Sequence, residues 1–173
     1  MTDCFAHQLR LDQVRSGDRH DLVANDAERT GIARRLGLVS LGRLESHVTL
    51  EKTGELVRAQ GRIVAALEQN CVVTGDAITT HVDEPFEILF MPEPQSAGGD
   101  EEIELAENDC DVVFHDGAAI DLGGAIADTL ALSLDPYPRS SGADAALREA
   151  GVLSEEQASP FALLAKLRET DKP

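Results

Sequence analysis

The chain has 173 residues, 18.5 kDa, 42% hydrophobic residues, 3% aromatic residues and a formal net charge of -17. That is enough length for one real core, and the absence of a run of about eighteen apolar residues or of a basic-then-apolar leader excludes a spanning helix and predicts a cytoplasmic protein. Few aromatics and no Trp exclude an aromatic platform for bases, while Cys4, Cys71 and Cys110, odd in number and widely spaced, fit free thiols better than a disulfide framework.

From the N-terminus, Phe5 to Val14 alternates weakly around Gln8-Leu9-Arg10-Leu11, which predicts a short strand turned by Ser16-Gly17-Asp18. Asn25-Asp26-Ala27-Glu28 is a capping-box pattern, and Gly37 before Leu38 suits a Schellman ending, so a helix is expected over 26–36. Its Ile32 and Leu36 face inward, and Arg29, Arg34 and Arg35 lie mostly outward. The period then changes to two. Leu44, Ser46, Val48 and Leu50 alternate with Glu45, His47, Thr49 and Glu51; Lys52-Thr53-Gly54-Glu55 closes a hairpin; Val57 to Leu67 alternates again, with Arg58 and Arg62 on one face. Ile78 to Met91 extends with Phe86, Ile88 and Phe90 on one face, and Pro85 predicts an edge position or a bulge.

The segment over 92–111 carries Glu93, Asp100, Glu101, Glu102, Glu104, Glu107, Asp109 and Asp111 with little apolar content, the pattern of a mobile acidic loop. Val112-Val-Phe114 and Ala118-Ala-Ile120 suit a small hairpin about Asp116-Gly117. Asp121 then caps a helix in which Leu122, Ile126, Leu130 and Leu134 recur every four positions. It is apolar nearly all round, so it should be the central packing helix. Pro136 and Pro138 stop it at Asp135 and stiffen an exit that presents Asp135, Tyr137 and Arg139. Two readings of that exit stay open. In one, Tyr137 packs on the sheet and Arg139 caps helix carbonyls or pairs with Asp135; in the other, the three form an exposed recognition edge. Residues 140–173 suit a linker and a helical tail, where Ser159 caps Pro160 to Leu167 and Phe161, Leu164 and Leu167 are the docking candidates.

The predicted architecture is α+β: an antiparallel, twisted or barrel-like sheet covered by two or more helices, in a core domain over 1–139. Charge is divided unevenly along it. Residues 1–62 carry 10 Lys and Arg against 9 acids, residues 63–138 carry none against 17, and residues 139–173 carry 5 against 6. A stretch so depleted of cations should build a face that repels phosphate and attracts basic partners, leaving the Arg-rich first third as the phosphate-facing surface. No glycine-rich phosphate cradle, His-Glu metal helix or nucleophile elbow is present. The five His (His7, His20, His47, His81 and His115) lie at no ligand spacing, and no catalytic residue, metal or cofactor is expected. Cys71 reads most simply as a buried thiol.

Cys71-Val-Val-Thr74, His81-Val-Asp-Glu-Pro-Phe86, the acidic insert, Ile120-Asp-Leu122, Leu130 to Arg139 and the tail from Pro160 to Leu167 together resemble the YceD-like family, the large ribosomal RNA subunit accumulation proteins of bacteria. The resemblance implies a non-enzymatic ribosome-biogenesis factor supporting accumulation of large-subunit rRNA, with no catalytic residue to carry over. Many relatives have a Cys-x-x-Cys pair where this chain has Cys71 and Thr74, so hairpin-end packing is the simpler role here. Joined to the charge division, the expectation is that Asp100, Glu101, Glu102, Glu104, Glu107, Asp109 and Asp111 hold a basic ribosomal protein or an rRNA-processing factor. Arg29, Arg34, Arg35, Arg58 and Arg62 would approach rRNA, directly or through a partner, with no membrane involved. Two other classes stay open: a small ligand-binding or enzymatic barrel using Cys71 and the Asp135 to Arg139 edge, and an adaptor that recruits an RNA-processing enzyme through the tail helix.

Overall fold

A computed structural model of the protein describes residues 5–93 and 111–152. Asp100, Glu101, Glu102, Glu104, Glu107 and Asp109 of the acidic loop, Phe161, Leu164 and Leu167 of the tail, and Cys4 and Cys110 lie outside the described residues. In chain order the elements are β1 (Gln8–Arg10), β2 (Arg19–Val23), α1 (Asp26–Leu36), β3 (Ser40–Thr53), β4 (Leu56–Asn70), β5 (Ala77–Pro92), β6 (Asp111–His115), β7 (Ala119–Asp121), α2 (Leu122–Leu132) and α3 (Ala143–Glu149). Two units result: Met1–Gln69 with Thr79–Pro136, and Asn70–Ile78 with Tyr137–Pro173.

In the first unit, α1 forms where its caps require. Asn25 Oδ1 accepts from Glu28 N at 3.0 Å and Glu28 Oε2 accepts from Asn25 N at 2.7 Å, closing the capping box. Gly37, at φ 67°, ends the helix, and Leu38 N donates to Ala33 O at 2.9 Å as a Schellman motif demands. β3 and β4 pair antiparallel along their length, from Ser40↔Glu68 to Thr53↔Leu56, with Gly54 at φ 64° opening the two-residue turn. Leu44, Ser46, Val48, Leu50, Val57, Ala59, Ile63, Ala65 and Leu67 are all buried on the inner face.

The class is α+β, and the sheet is open rather than barrel-like. Five strands run in the order β2-β3-β4-β5-β6, while β1 and β7 form a separate two-stranded sheet. β2 has no counterpart in the predicted elements: it pairs antiparallel with Thr49–Glu45 of β3, but only Leu22 among its residues is fully buried, which hides the alternation. The expected hairpin about Asp116-Gly117 does not form. β6 instead runs parallel to β5, from Ile88↔Asp111 to Pro92↔His115, and β7 pairs antiparallel with β1. Residues 93–110 are numerous enough to return the chain to the same end of the sheet, a return that takes about a dozen residues or more for a parallel pair. Pro85 sits in β5 before its pairing with β6 begins at Ile88, so one side of the strand is locally an edge there, as a proline requires.

The centre of packing is α2. Leu122, Ala125, Ile126, Ala127 and Leu130 join Ile32 and Ala33 of α1, the inner face of the sheet, and Phe5, Leu11 and Val14 in one apolar cluster. Burying side chains such as Leu122, Ile126 and Leu130 contributes about 1.5–3 kcal/mol each. The helix ends at Leu132, with Ser133 as its C-cap, a turn short of the Pro136 stop expected for it. The N-terminal chain crosses its first turn: Leu122 N donates to His7 O at 3.0 Å, and a Cβ on Gly123 would come within 2.1 Å of Phe5 O.

Two stability outcomes follow from this packing. Gly123→Ala should cost about 1–3 kcal/mol in urea unfolding because backbone must move. Gly124→Ala should also destabilise, because its Cβ would come within 2.6 Å of the Asp121 carboxylate that Gly124 N and His7 N hold in place. The Ser46 hydroxyl is buried and has no hydrogen-bond partner among the described residues. Ser46→Ala should therefore raise stability by about 1 kcal/mol, and a loss of stability would show the hydroxyl to be satisfied in solution.

Candidate functional site

The arginines expected to face RNA are held beside acids of their own unit. Arg29 donates to Ala24 O at 2.7 Å and pairs with Asp26. Arg35 pairs with Asp128 of α2, Arg58 with Glu87, and Arg62 with Asp83, whose carboxyl the guanidinium holds below its ordinary range. Gln60 Nε2 also donates to Glu87, at 2.7 Å, so the outward faces of β4 and β5 carry a ladder of opposite charges. Arg34 has a partner as well. Such exposed pairs contribute only about 0–1 kcal/mol to stability. Their electrostatic effect is larger in consequence: each carboxylate cancels the field that would draw in phosphate.

Asp83, Glu87 and Asp128 of those pairs all belong to the 63–138 stretch. Of its other acids, Asp111 is exposed at the start of β6 and Glu84 on β5. Beyond β6, Asp116 and Asp121 frame a groove of about 570 Å³ between β6, β7 and the first turns of α2. Phe90, Val113 and Ala125 supply apolar lining, Asp128 and half-exposed Phe114 complete the rim, and among the described residues no Lys or Arg lines it. Asp116 Oδ1 accepts from Ala118 N at 2.9 Å and Ala119 N at 3.5 Å, and these bonds depress its pKa. Asp121 Oδ1 accepts from Gly124 N at 3.0 Å and His7 N at 3.1 Å, capping α2 and tying down the N-terminal chain with one atom. At the end of β6, buried His115 accepts at Nδ1 from Gly117 N at 3.0 Å. Its proton is therefore on Nε2, which donates to Glu55 O at 3.0 Å. His115 is a locked structural residue, not a free base.

The second unit holds Cys71. Its thiol is buried and accepts from Ser140 N at 3.3 Å and Thr74 N at 3.4 Å. The Ser140 hydroxyl, then the Ser140 N–H, then Thr74 pull its pKa down to about 6. The turn beneath it is closed by Gly75 N to Cys71 O at 2.9 Å and Cys71 N to Asp76 O at 2.7 Å, with Gly75 at φ 76°. Thr74 Oγ1 donates to Asp76 Oδ2 at 2.6 Å, so the hydroxyl at this position ties the turn together. Chemically, Cys71 offers a stabilised thiolate. Among the described residues no group of three or more His, Cys, Asp or Glu could hold a metal ion.

Of the exit residues, Tyr137 is 73% exposed, so it does not pack as a core aromatic. Arg139 lies 3.6 Å from Asp144 in the first turn of α3. Asp135 contributes its carbonyl, which accepts from Gln69 Nε2 at 3.1 Å. The sequence reading missed Asp116, Asp121 and Phe114 as a cluster, since a turn, a cap and a strand residue become neighbours only when β6 joins the sheet and β7 leaves it. It missed Ser140 because 69 positions separate it from Cys71.

A family model described as large ribosomal RNA subunit accumulation protein YceD matches residues 59–168 of the chain. No curated protein and no solved structure matches it.

The thiol geometry has a measurable consequence. A thiol held near 6 when folded, against about 8.5 when unfolded, adds stability that is present above the unfolded value and is lost as pH falls through the folded one. In a Cys4→Ser, Cys110→Ser background, the urea midpoint should rise from pH 6 to pH 9, and Cys71→Ala should flatten that rise. Thiolate absorbance should titrate near 6; a midpoint near 8.5 would refute the assignment.

Proposed function

The chain belongs to the YceD family of large ribosomal RNA subunit accumulation proteins, and from that premise we propose that it is a non-enzymatic, cytoplasmic assembly factor that holds a basic ribosomal protein on its acidic face. The family name ties the chain to accumulation of the large ribosomal subunit's RNA. The observation that carries the choice of partner is the charge division: no Lys or Arg occurs over 63–138, and the exposed acids of that stretch include Glu84, Asp111 and Asp116 besides Asp83 and Asp128, which pair with Arg62 and Arg35. Ribosomal proteins that bind rRNA carry excess positive charge, and an acidic surface would screen that charge until RNA replaces it. Arg29, Arg35, Arg58 and Arg62 sit beside carboxylates, so contact with rRNA through them is the weaker reading, and a partner that itself binds rRNA accounts better for the family's role.

An open sheet removes the premise of a ligand-binding barrel. Among the described residues no helix is long and apolar enough to cross a membrane.

The test uses the full chain with two probes, an rRNA-free protein mixture from the large ribosomal subunit and a transcript of the large-subunit rRNA. Retention of one or more basic proteins at physiological salt, weakening as salt rises, is the expected result. Retention of the transcript alone would overturn the proposed partner class.

A further inference from the structure

β6 ends the five-stranded sheet among the described residues. Glu93 N donates to His115 O at 3.0 Å, which turns the polar backbone groups of His115 towards β5. Alternation along the strand then turns those of Val112 and Phe114 away from β5, to the free edge. Proteins usually guard such an edge with Lys, Pro or an inward charge. Between its terminal residues β6 reads Val112-Val113-Phe114, and none of these devices is present.

Both sides of this edge are shaped for side chains. On the outer face, Val112 pairs with Leu89 and Phe114 with Met91, giving an apolar strip in which Phe114 is 50% exposed. On the inner face the groove beside Val113 opens over Phe90, with Asp116 at its rim. An added strand would place alternate residues on these two surfaces. Its charge is also constrained. Asp111 and Asp116 flank the edge; Arg10, beside Gly117–Ala119, is paired with Asp12, and Arg35 is paired with Asp128 at the groove. A second copy would bring its own Asp111 and Asp116 against these two, and nucleic acid would bring phosphate.

We propose that β6 is a docking edge for an extended, basic segment of a partner protein, which adds as a further strand with apolar residues over Phe114 and in the groove and with Lys or Arg beside Asp111 and Asp116. This rests on the proposed function and names the place and form of the contact.

Amide hydrogen exchange on the full chain, with the rRNA-free protein of the large ribosomal subunit as probe, tests it. The amides of Val112 and Phe114 should slow on addition of the probe, and Phe114→Lys should weaken binding about tenfold or more. Phe114→Thr provides a second reading should the Lys variant unfold, because Thr suits a strand and removes the aromatic contact. Unchanged binding by these variants, with Val112 and Phe114 unprotected, would overturn the docking edge and leave the proposed function standing. No binding of the probe by the wild-type chain would overturn both. Edge protection that appears without probe as protein concentration rises, or with a large-subunit rRNA transcript instead, would assign the edge to another occupant and overturn the proposal.

Discussion

The first unit depends on one carboxylate. Asp121 Oδ1 accepts from Gly124 N and from His7 N, so a single atom starts α2 and fastens the N-terminal chain across its first turn. Gly123 makes the crossing sterically feasible, and Leu122 N donating to His7 O completes it. An oxygen shared between two otherwise orphaned donors stabilises more than a cap alone, because its loss leaves both N–H groups needing water. This clasp places Phe5 and Leu11 over the same cluster that α2 fills, which lets β1 pair with β7 instead of with the main sheet.

That pairing determines the groove and the edge together. Because β7 goes to β1, it cannot return beside β6 as a hairpin partner, and the outer side of β6 stays open among the described residues. Asp116 stabilises the divergence locally by accepting from Ala118 N and Ala119 N, with Gly117 at φ 86°. The carboxylates beside the edge are thus turn and cap residues first. Their negative charge still projects into the groove, since hydrogen bonds from neutral amides satisfy a carboxylate without neutralising it.

What the sequence revealed follows how local its signals are. The α1 caps, the period-two alternation of β3 and β4, and the turn at Gly54 involve residues a few positions apart, and all appear where the pattern placed them. β2 was obscured because Arg19, His20 and Asp21 mask a strand that buries one residue fully. The hairpin about Gly117 was misassigned for a different reason: turn chemistry there is genuine, but a three-residue strand contains too little pattern to specify its partner, and the choice was made by Gln8–Arg10 over a hundred positions away. Of the candidate site, the charge division was visible in the chain. The intramolecular pairing of Arg35 with Asp128 and Arg62 with Asp83 was not, because each joins residues far apart in the chain.

Cys71 shows how a turn built from backbone donors can stabilise a thiolate with no cysteine beside it among the described residues. In this chain the Thr74 hydroxyl bonds Asp76, and Ser140 N and Thr74 N still point at the remaining sulfur. Those donors stabilise a negative charge that has no second soft ligand beside it among the described residues. The turn is held by these hydrogen bonds, and they account for the depressed thiol.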